Sequence, residues 1–196
     1  MVLNATPVTD FWTDVEVPAN PPQLQSVTID PGKTALLLLD FLRDVCTEKE
    51  RPRAAAALPK LQRFLKSARD HGMLVVHTTT RHATPDGSDL ADAVRPIGNE
   101  RILAAPFNKF HKSDLEQHLK SQGIDTLVLA GTSPNNCLMF TVAGAVLRGF
   151  KAIVPIDGMP AVTPYQEQFV AWQLFNGSGF AETTKLSRFD MIGFGT

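Results

Sequence analysis

The chain has 196 residues, 43% of them hydrophobic and 20% charged, with a formal net charge of −1. That is enough chain for one well-buried domain, an ordinary balance for a soluble globular protein, and too neutral a surface for a nucleic-acid or anionic-membrane footprint. No run approaches the ~20 apolar residues of a membrane span, and the first residues lack the cationic and apolar segments of a secretory leader, so a cytoplasmic protein with neither nucleic-acid nor membrane partners is expected. The two cysteines, Cys46 and Cys137, have no CxxC spacing and read as free thiols in a reducing compartment.

Residues 1–32 hold five prolines and few periodic apolar positions, so they read as an extended arm with Phe11 and Trp12 as anchors, outside a domain running from 33 to 196. Lys33 to Asp40 is a continuous apolar run closed by an acid, the pattern of a strand buried on both faces. Leu61, Phe64, Leu65 and Ala68 form a stripe at i, i+3, i+4 and i+7, with Gly72 as the stop: a helix packed on a sheet. Met73 to Thr78 is a second strand, followed by a polar loop whose Arg81 and His82 are candidates to touch a polar substrate. Arg101 to Phe107 suggests a short strand ending at Pro106. Ser113 to Glu116 has the spacing of a capping box, for a helix with Leu115 and Leu119 inward and its end at Gly123.

The stretch from Asp125 to Asp157 is the most structured in pattern. Thr126 to Ala130 is a buried strand, Gly131 to Asn136 a turn, Cys137 to Leu147 a helix with Phe140, Ala143, Val146 and Leu147 at helical spacing, and Ala152 to Ile156 a returning strand. This is a βαβ unit with a thiol at its strand-to-helix turn. Unpaired amides and the macrodipole at a helix N-terminus favour anions, lowering a thiol's pKa and serving a developing oxyanion. A further helix over Pro164 to Phe175, with Trp172 as an anchor or a subunit contact, and a last strand near Thr184 complete an α/β pattern. Strand and helix alternate, which implies a parallel sheet covered by helices on both faces, with any ligand at the C-terminal strand ends. In such a sheet Asp40 and Cys137 converge. From position alone Asp40 reads either as a cap for the turn that follows or as a base, and Cys137 either as a small buried hydrophobe or as a nucleophile.

Several separated blocks resemble the isochorismatase-like cysteine hydrolase family: ThrAlaLeuLeuLeuLeuAsp (34–40), LysPheHisLysSerAspLeuGluGlnHisLeu (109–119) and LeuValLeuAlaGlyThrSerProAsnAsnCysLeuMetPhe (127–140), continuing to Phe150. TyrGlnGluGlnPheValAlaTrpGlnLeu (165–174) and AspMetIleGlyPhe (190–194) are similar to one branch of it. The resemblance implies a Rossmann-like three-layer α/β/α sandwich with a mostly parallel sheet, hydrolysing a small amide or ureide without a cofactor through an Asp, Lys, Cys triad and a thioester acyl-enzyme. Some members cleave a vinyl ether instead, and a non-catalytic binding member of the fold is the other alternative.

Matched position by position, Asp40 takes the place of the general base and Cys137 of the nucleophile. The family's cis peptide would fall at Thr132–Ser133, with Ser133–Pro134 as the less costly bond, and would aim the Ser133 and Cys137 amides at the substrate carbonyl. The place of the family lysine holds Ala104. Two anions about 4 Å apart repel by about 4 kcal/mol at an effective dielectric near 20, so the site needs a cation. Lys109 is the candidate, with Lys112 and Arg101 behind it. Phe41, Phe107, Phe110 and Phe140 are candidates to line an apolar pocket, or else core. His77, His82 and His111 lack the AspXaaHis spacing of the metal-binding nicotinamidases, so no metal is expected, and Cys46 reads as packing. The arm and the family's habit of association imply a homo-oligomer acting on a small-molecule substrate.

Overall fold

The computed structural model describes residues 7–16, 20–79, 84 and 86–195. Six strands, β2 (Thr34–Leu39), β3 (Leu74–Thr79), β4 (Arg101–Ala104), β5 (Thr126–Gly131), β6 (Lys151–Pro155) and β7 (Thr184–Ser187), form one sheet in the order β4-β3-β2-β5-β6-β7. Every pairing is parallel. Parallel neighbours require crossovers, and four helices supply cover: α1 (Pro52–Asp70), α2 (Leu115–Ser121), α3 (Met139–Val146) and α4 (Pro164–Asn176). The order runs outward from β2 through β3 to β4, then restarts beside β2 with β5, so the topological switch lies between β2 and β5. Ligand crevices open at the carboxyl ends of the strands at such a point.

The residues that build the centre are those that lose most by exposure. Leu36, Leu37, Leu38 and Leu39 on β2 are at most 1% exposed, and each buried leucine contributes roughly 1.5–3 kcal/mol. Their alternation sends Leu37 and Leu39 to the face covered by Leu115 and Leu119 of α2, Val142 and Ala145 of α3, and Val170 and Leu174 of α4. Leu36 and Leu38 meet Leu61, Phe64 and Leu65 of α1 on the other face. The stripe read for α1 is therefore the buried one. Pro52 occupies its first turn, where a missing N–H costs little, and Gly72 just past its end takes φ 68°, the left-handed conformation that suits glycine.

Three local expectations need correction. Residues 27–29 do not trail free: they form β1 (Val27–Ile29), which pairs in parallel with β8 (Ile192–Phe194), burying Val27, Ile29 and Ile192 against the α1 face. The apolar tail residues supply the partner that the proline-rich composition concealed. The capping box at Ser113 does not close, because the Ser113 hydroxyl donates to the Lys109 carbonyl at 2.5 Å and Glu116 pairs with Lys120 and Arg148. A capping box forms instead at α4, between Thr163 and Gln166. On α3 the inward face is Leu138, Thr141, Val142 and Ala145, while Phe140 and Leu147 are exposed. The helix is apolar nearly all round, so spacing alone could not say which stripe faced the sheet.

Candidate active site

Asp40 follows the last residue of β2, and Cys137 lies six residues past the end of the neighbouring β5, so the two strands at the switch point bring them together. The turn between β5 and Cys137 is fastened to β2. The Thr132 amide donates to the Leu39 carbonyl at 3.1 Å, and the Thr132 hydroxyl donates to the Asp40 carbonyl at 2.8 Å. Close approach requires Gly131, where an added Cβ would stand 2.7 Å from that of Leu39. All peptide bonds among the described residues are trans, so neither expected cis bond is present. The chain reverses instead through Ser133, held in the left-handed region at φ 61° and ψ 69°, and through a π-helical turn over Pro134–Leu138 that carries Cys137 into α3. Asp40 itself sits at φ 58°. Strained backbone on both sides of one crevice is a recurrent mark of functional sites.

The cation is Lys109. Its ammonium donates to both Asp40 oxygens, at 2.8 and 2.9 Å, and to the Ala105 carbonyl at 3.2 Å. The lysine is 0% exposed and Asp40 only 5%, so this is a desolvated pair that cannot have formed as a casual surface contact. Thr78, opposite Leu39 in the β2–β3 register, adds a third bond, its hydroxyl donating to Asp40 at 3.0 Å. Ala104 ends β4 with its side chain exposed, Arg101 pairs with Asp114, and Lys112 is exposed, which leaves Lys109 as the one of these four that reaches the carboxylate.

What places Lys109 is the loop between β4 and α2. Its amide donates to the hydroxyl of Thr141, one helical turn beyond Cys137, and that hydroxyl donates to the Phe107 carbonyl, each at 3.2 Å. The loop presses so close to α3 that an added Cβ on Gly144 would stand 2.6 Å from the Asn108 side chain. Thr78 and Thr141 were not singled out in the sequence. The available signal was a hydroxyl residue at an inward position of an otherwise apolar strand or helix.

The Cys137 thiol lies within the field of the Asp40 carboxylate. Burial, then the influence of Asp40, push the thiol up to about 12, against the weaker opposing pull of Lys109. The expected lowering by a helix N-terminus is thus overturned. Burial also pushes Cys46 up to about 11, so neither thiol is ionised near neutrality in the resting protein. Both cysteines are free and buried.

The four phenylalanines do not share a pocket. Phe41 (0% exposed) packs on the α1 side, and Phe110 (4%) stacks on Phe150 within the opposite core, whereas Phe107 and Phe140 are exposed and tilt against each other at 5.3 Å between centroids. His77 lies on the α1 side of the sheet, bound to Glu100 at 2.8 Å, and His111 is exposed. Among the described residues no group of three His, Cys, Asp or Glu side chains could hold a metal ion. Arg81 and His82, and the side chain of Phe11, lie outside the described residues. Among the described residues no helix is long and apolar enough to cross a membrane.

Comparison with known proteins places these features in a family. The model of the isochorismatase domain matches residues 34–186, which reaches from the start of β2 into β7. Maleamate amidohydrolase of Pseudomonas putida is 32% identical over 148 residues, covering 62% of this chain and 70% of the relative. N-carbamoylsarcosine amidase of an Arthrobacter species is 24% identical over 159 residues, covering 68% of this chain and 60% of the relative. Among solved structures, an isochorismatase-like hydrolase from Alkaliphilus metalliredigens superposes with a TM-score of 0.70 at 26% identity, covering 82% of this chain and 96% of that one. A mostly parallel sheet flanked by helices, ending in the crevice that holds Asp40, Lys109 and Cys137, and a domain match over most of the chain together establish that the protein belongs to the isochorismatase family.

Proposed function

We propose that the protein hydrolyses a C–N bond of a small amide or ureide, with Cys137 as nucleophile, Asp40 as general base and Lys109 as the cation that keeps Asp40 ionised. The observation that carries this reading is the buried Asp40 carboxylate, bound through both oxygens to Lys109 and acting on the Cys137 thiol from the neighbouring strand end. Similarity to two relatives named as amidases supports the bond type.

The resting thiol is protonated, so attack and deprotonation occur together. Cys137 Sγ bonds to the substrate carbonyl carbon as its proton passes to Asp40, and the carbonyl π electrons move onto oxygen. The amides of Ser133 and Cys137, at the turn and the start of the helical segment, are the donors proposed for that oxyanion. Collapse expels the amine, which takes the proton from Asp40 and leaves a thioester. Water then attacks, gives its proton to Asp40, and releases the carboxylic acid while the thiol is restored. The net change is amide plus water to acid plus ammonia or amine. Lys109 matters at the first step, because Asp40 must accept a proton beside a developing negative sulfur and would otherwise already be protonated.

A panel of primary amides and ureides followed by ammonia release tests the reading. We expect turnover of at least one member, abolished in both Cys137→Ala and Asp40→Asn. Full retention of ammonia release in Cys137→Ala would discard the thioester route, and no turnover of any amide alongside cleavage of a vinyl ether would favour the vinyl-ether hydrolase alternative.

A further inference from the structure

A carboxylate offers about four lone-pair directions, and three of those on Asp40 are taken. Oδ1 accepts two bonds, from the Lys109 ammonium at 2.8 Å and from the Thr78 hydroxyl at 3.0 Å. Among the described residues Oδ2 accepts just the second Lys109 bond, at 2.9 Å. Lys109 has no donor left to give, because its three N–H groups go to Oδ1, Oδ2 and the Ala105 carbonyl. The open direction on Oδ2 is therefore where an incoming proton can land on this buried pair.

The donor that makes the two oxygens unequal is Thr78, and its contact with Asp40 is reciprocal. The Asp40 amide donates to the Thr78 carbonyl at 3.2 Å while the Thr78 hydroxyl donates to Oδ1, so the end of β3 holds both the backbone and the side chain of Asp40. That hold matters because Asp40 sits at φ 58°, a conformation that costs free energy in any residue but glycine. From the β5 side, the Thr132 hydroxyl donates to the Asp40 carbonyl at 2.8 Å. The end of β3 steadies the cation as well, since the Ala105 amide donates to the Thr79 carbonyl at 3.0 Å and the Ala105 carbonyl receives Lys109. A buried strand threonine need not be engaged in this way. Thr184 of β7 is also buried, and its hydroxyl has no hydrogen-bond partner among the described residues. Thr78, fully buried, commits its hydroxyl to the carboxylate.

We propose that Thr78 is a positioning residue that loads Oδ1 of Asp40 and leaves Oδ2 as the atom that takes the Cys137 proton. This rests on the amidase reading above and resolves its base to one oxygen. As Cys137 Sγ bonds to the substrate carbonyl carbon, its proton passes to Oδ2, and the departing amine carries it away. Water then attacks the thioester and gives its proton to the same oxygen, from which the thiol recovers it. Throughout, Oδ1 keeps its bonds to Thr78 and Lys109, so the carboxyl changes protonation state without turning, and the base is preorganised for both halves of the reaction.

Thr78→Val keeps the branched shape of the buried residue and removes the donor, whereas Thr78→Ser keeps the donor. With an amide that the native protein hydrolyses, Thr78→Val should lower kcat about tenfold or more with KM within about twofold, and Thr78→Ser should recover most of the loss. Infrared difference spectra of protein carrying isotope-labelled aspartate, with Asp40→Asn identifying the Asp40 bands, give a readout that needs no turnover. Unequal loading of the two oxygens widens the separation of the antisymmetric and symmetric carboxylate stretches, so the separation should narrow in Thr78→Val and persist in Thr78→Ser. Native kcat in Thr78→Val, an equal loss in both variants, or a stretch separation that ignores the hydroxyl overturns the proposal. If no amide is hydrolysed while the separation still follows the hydroxyl, Thr78 positions the carboxylate as proposed and the amidase reading alone fails.

Discussion

At the scale of single residues, the Asp40–Lys109 pair carries both stability and the proposed chemistry. Removing one member of a buried pair leaves the other charge uncompensated, a loss of about 3–5 kcal/mol. Lys109→Met keeps the stem and deletes the charge, so the urea midpoint should drop accordingly and turnover should fall about a hundredfold or more. A variant that melts like the parent and turns over normally would make Lys109 a bystander. The protonated resting thiol has its own consequence. With Cys137 pushed up to about 12 by burial and by Asp40, its alkylation by iodoacetamide should be slow at pH 7 and keep accelerating beyond pH 9. A rate that levels off below pH 8 would show a thiolate already formed. Cys137 and Asp40 could be read from sequence because one follows a turn of Gly, Ser, Pro and Asn and the other closes an apolar strand. That Thr78 binds Asp40 could not, because nothing in local spacing ties residue 78 to residue 40.

At the scale of elements, strands and crossovers were legible because buried parallel strands read as unbroken apolar runs and helices stop at glycines such as Gly72 and Gly123. The weak point was residues 90–107, where few apolar positions repeat and the path there and in the loop that follows is set by distant contacts instead. Thr141 holds the Lys109 loop, and Glu100, just before β4, joins three elements by binding Arg69 of α1 and His77 of β3. Burial opposes ionisation of Glu100, yet the bonds from Arg69, His77 and the Ile97 amide bring it down to about 2. A carboxyl whose folded value is depressed adds stability above its unfolded value, here near 4.5, and that stability is lost as pH falls towards 2. Glu100→Gln should therefore be less stable than the parent at pH 6, with the gap narrowing by pH 3. A gap of constant size at both pH values would remove the ion pair from the account.

At the scale of the whole molecule, the sequence conveyed a parallel sheet covered by helices on both faces but not how its ends meet. The β1–β8 ribbon depends on pairing residues more than 160 positions apart, which no local pattern encodes. One surface is left unusually apolar: Tyr165, Phe169, Trp172 and Phe175 on α4 are all exposed, as are Trp12 and Val15 of the arm. Val15, Tyr165, Phe169 and Trp172 line a cavity of about 610 Å³ between arm and helix. Monomers rarely expose large contiguous apolar patches, so we expect self-association through this face, with light scattering giving a dimer or larger and Trp172→Glu shifting it toward monomer. A monomer in both proteins would contradict that expectation. The central claim, that Cys137 accepts the acyl group under the control of Asp40 and Lys109, is tested most directly by acid-quenching the protein during turnover of an amide substrate and mapping adducts by mass spectrometry. The account predicts the acyl group as a thioester on the Cys137 peptide, absent from Asp40→Asn and diminished in Lys109→Met. Sustained turnover with no adduct on Cys137, persisting in Cys137→Ala, would contradict it.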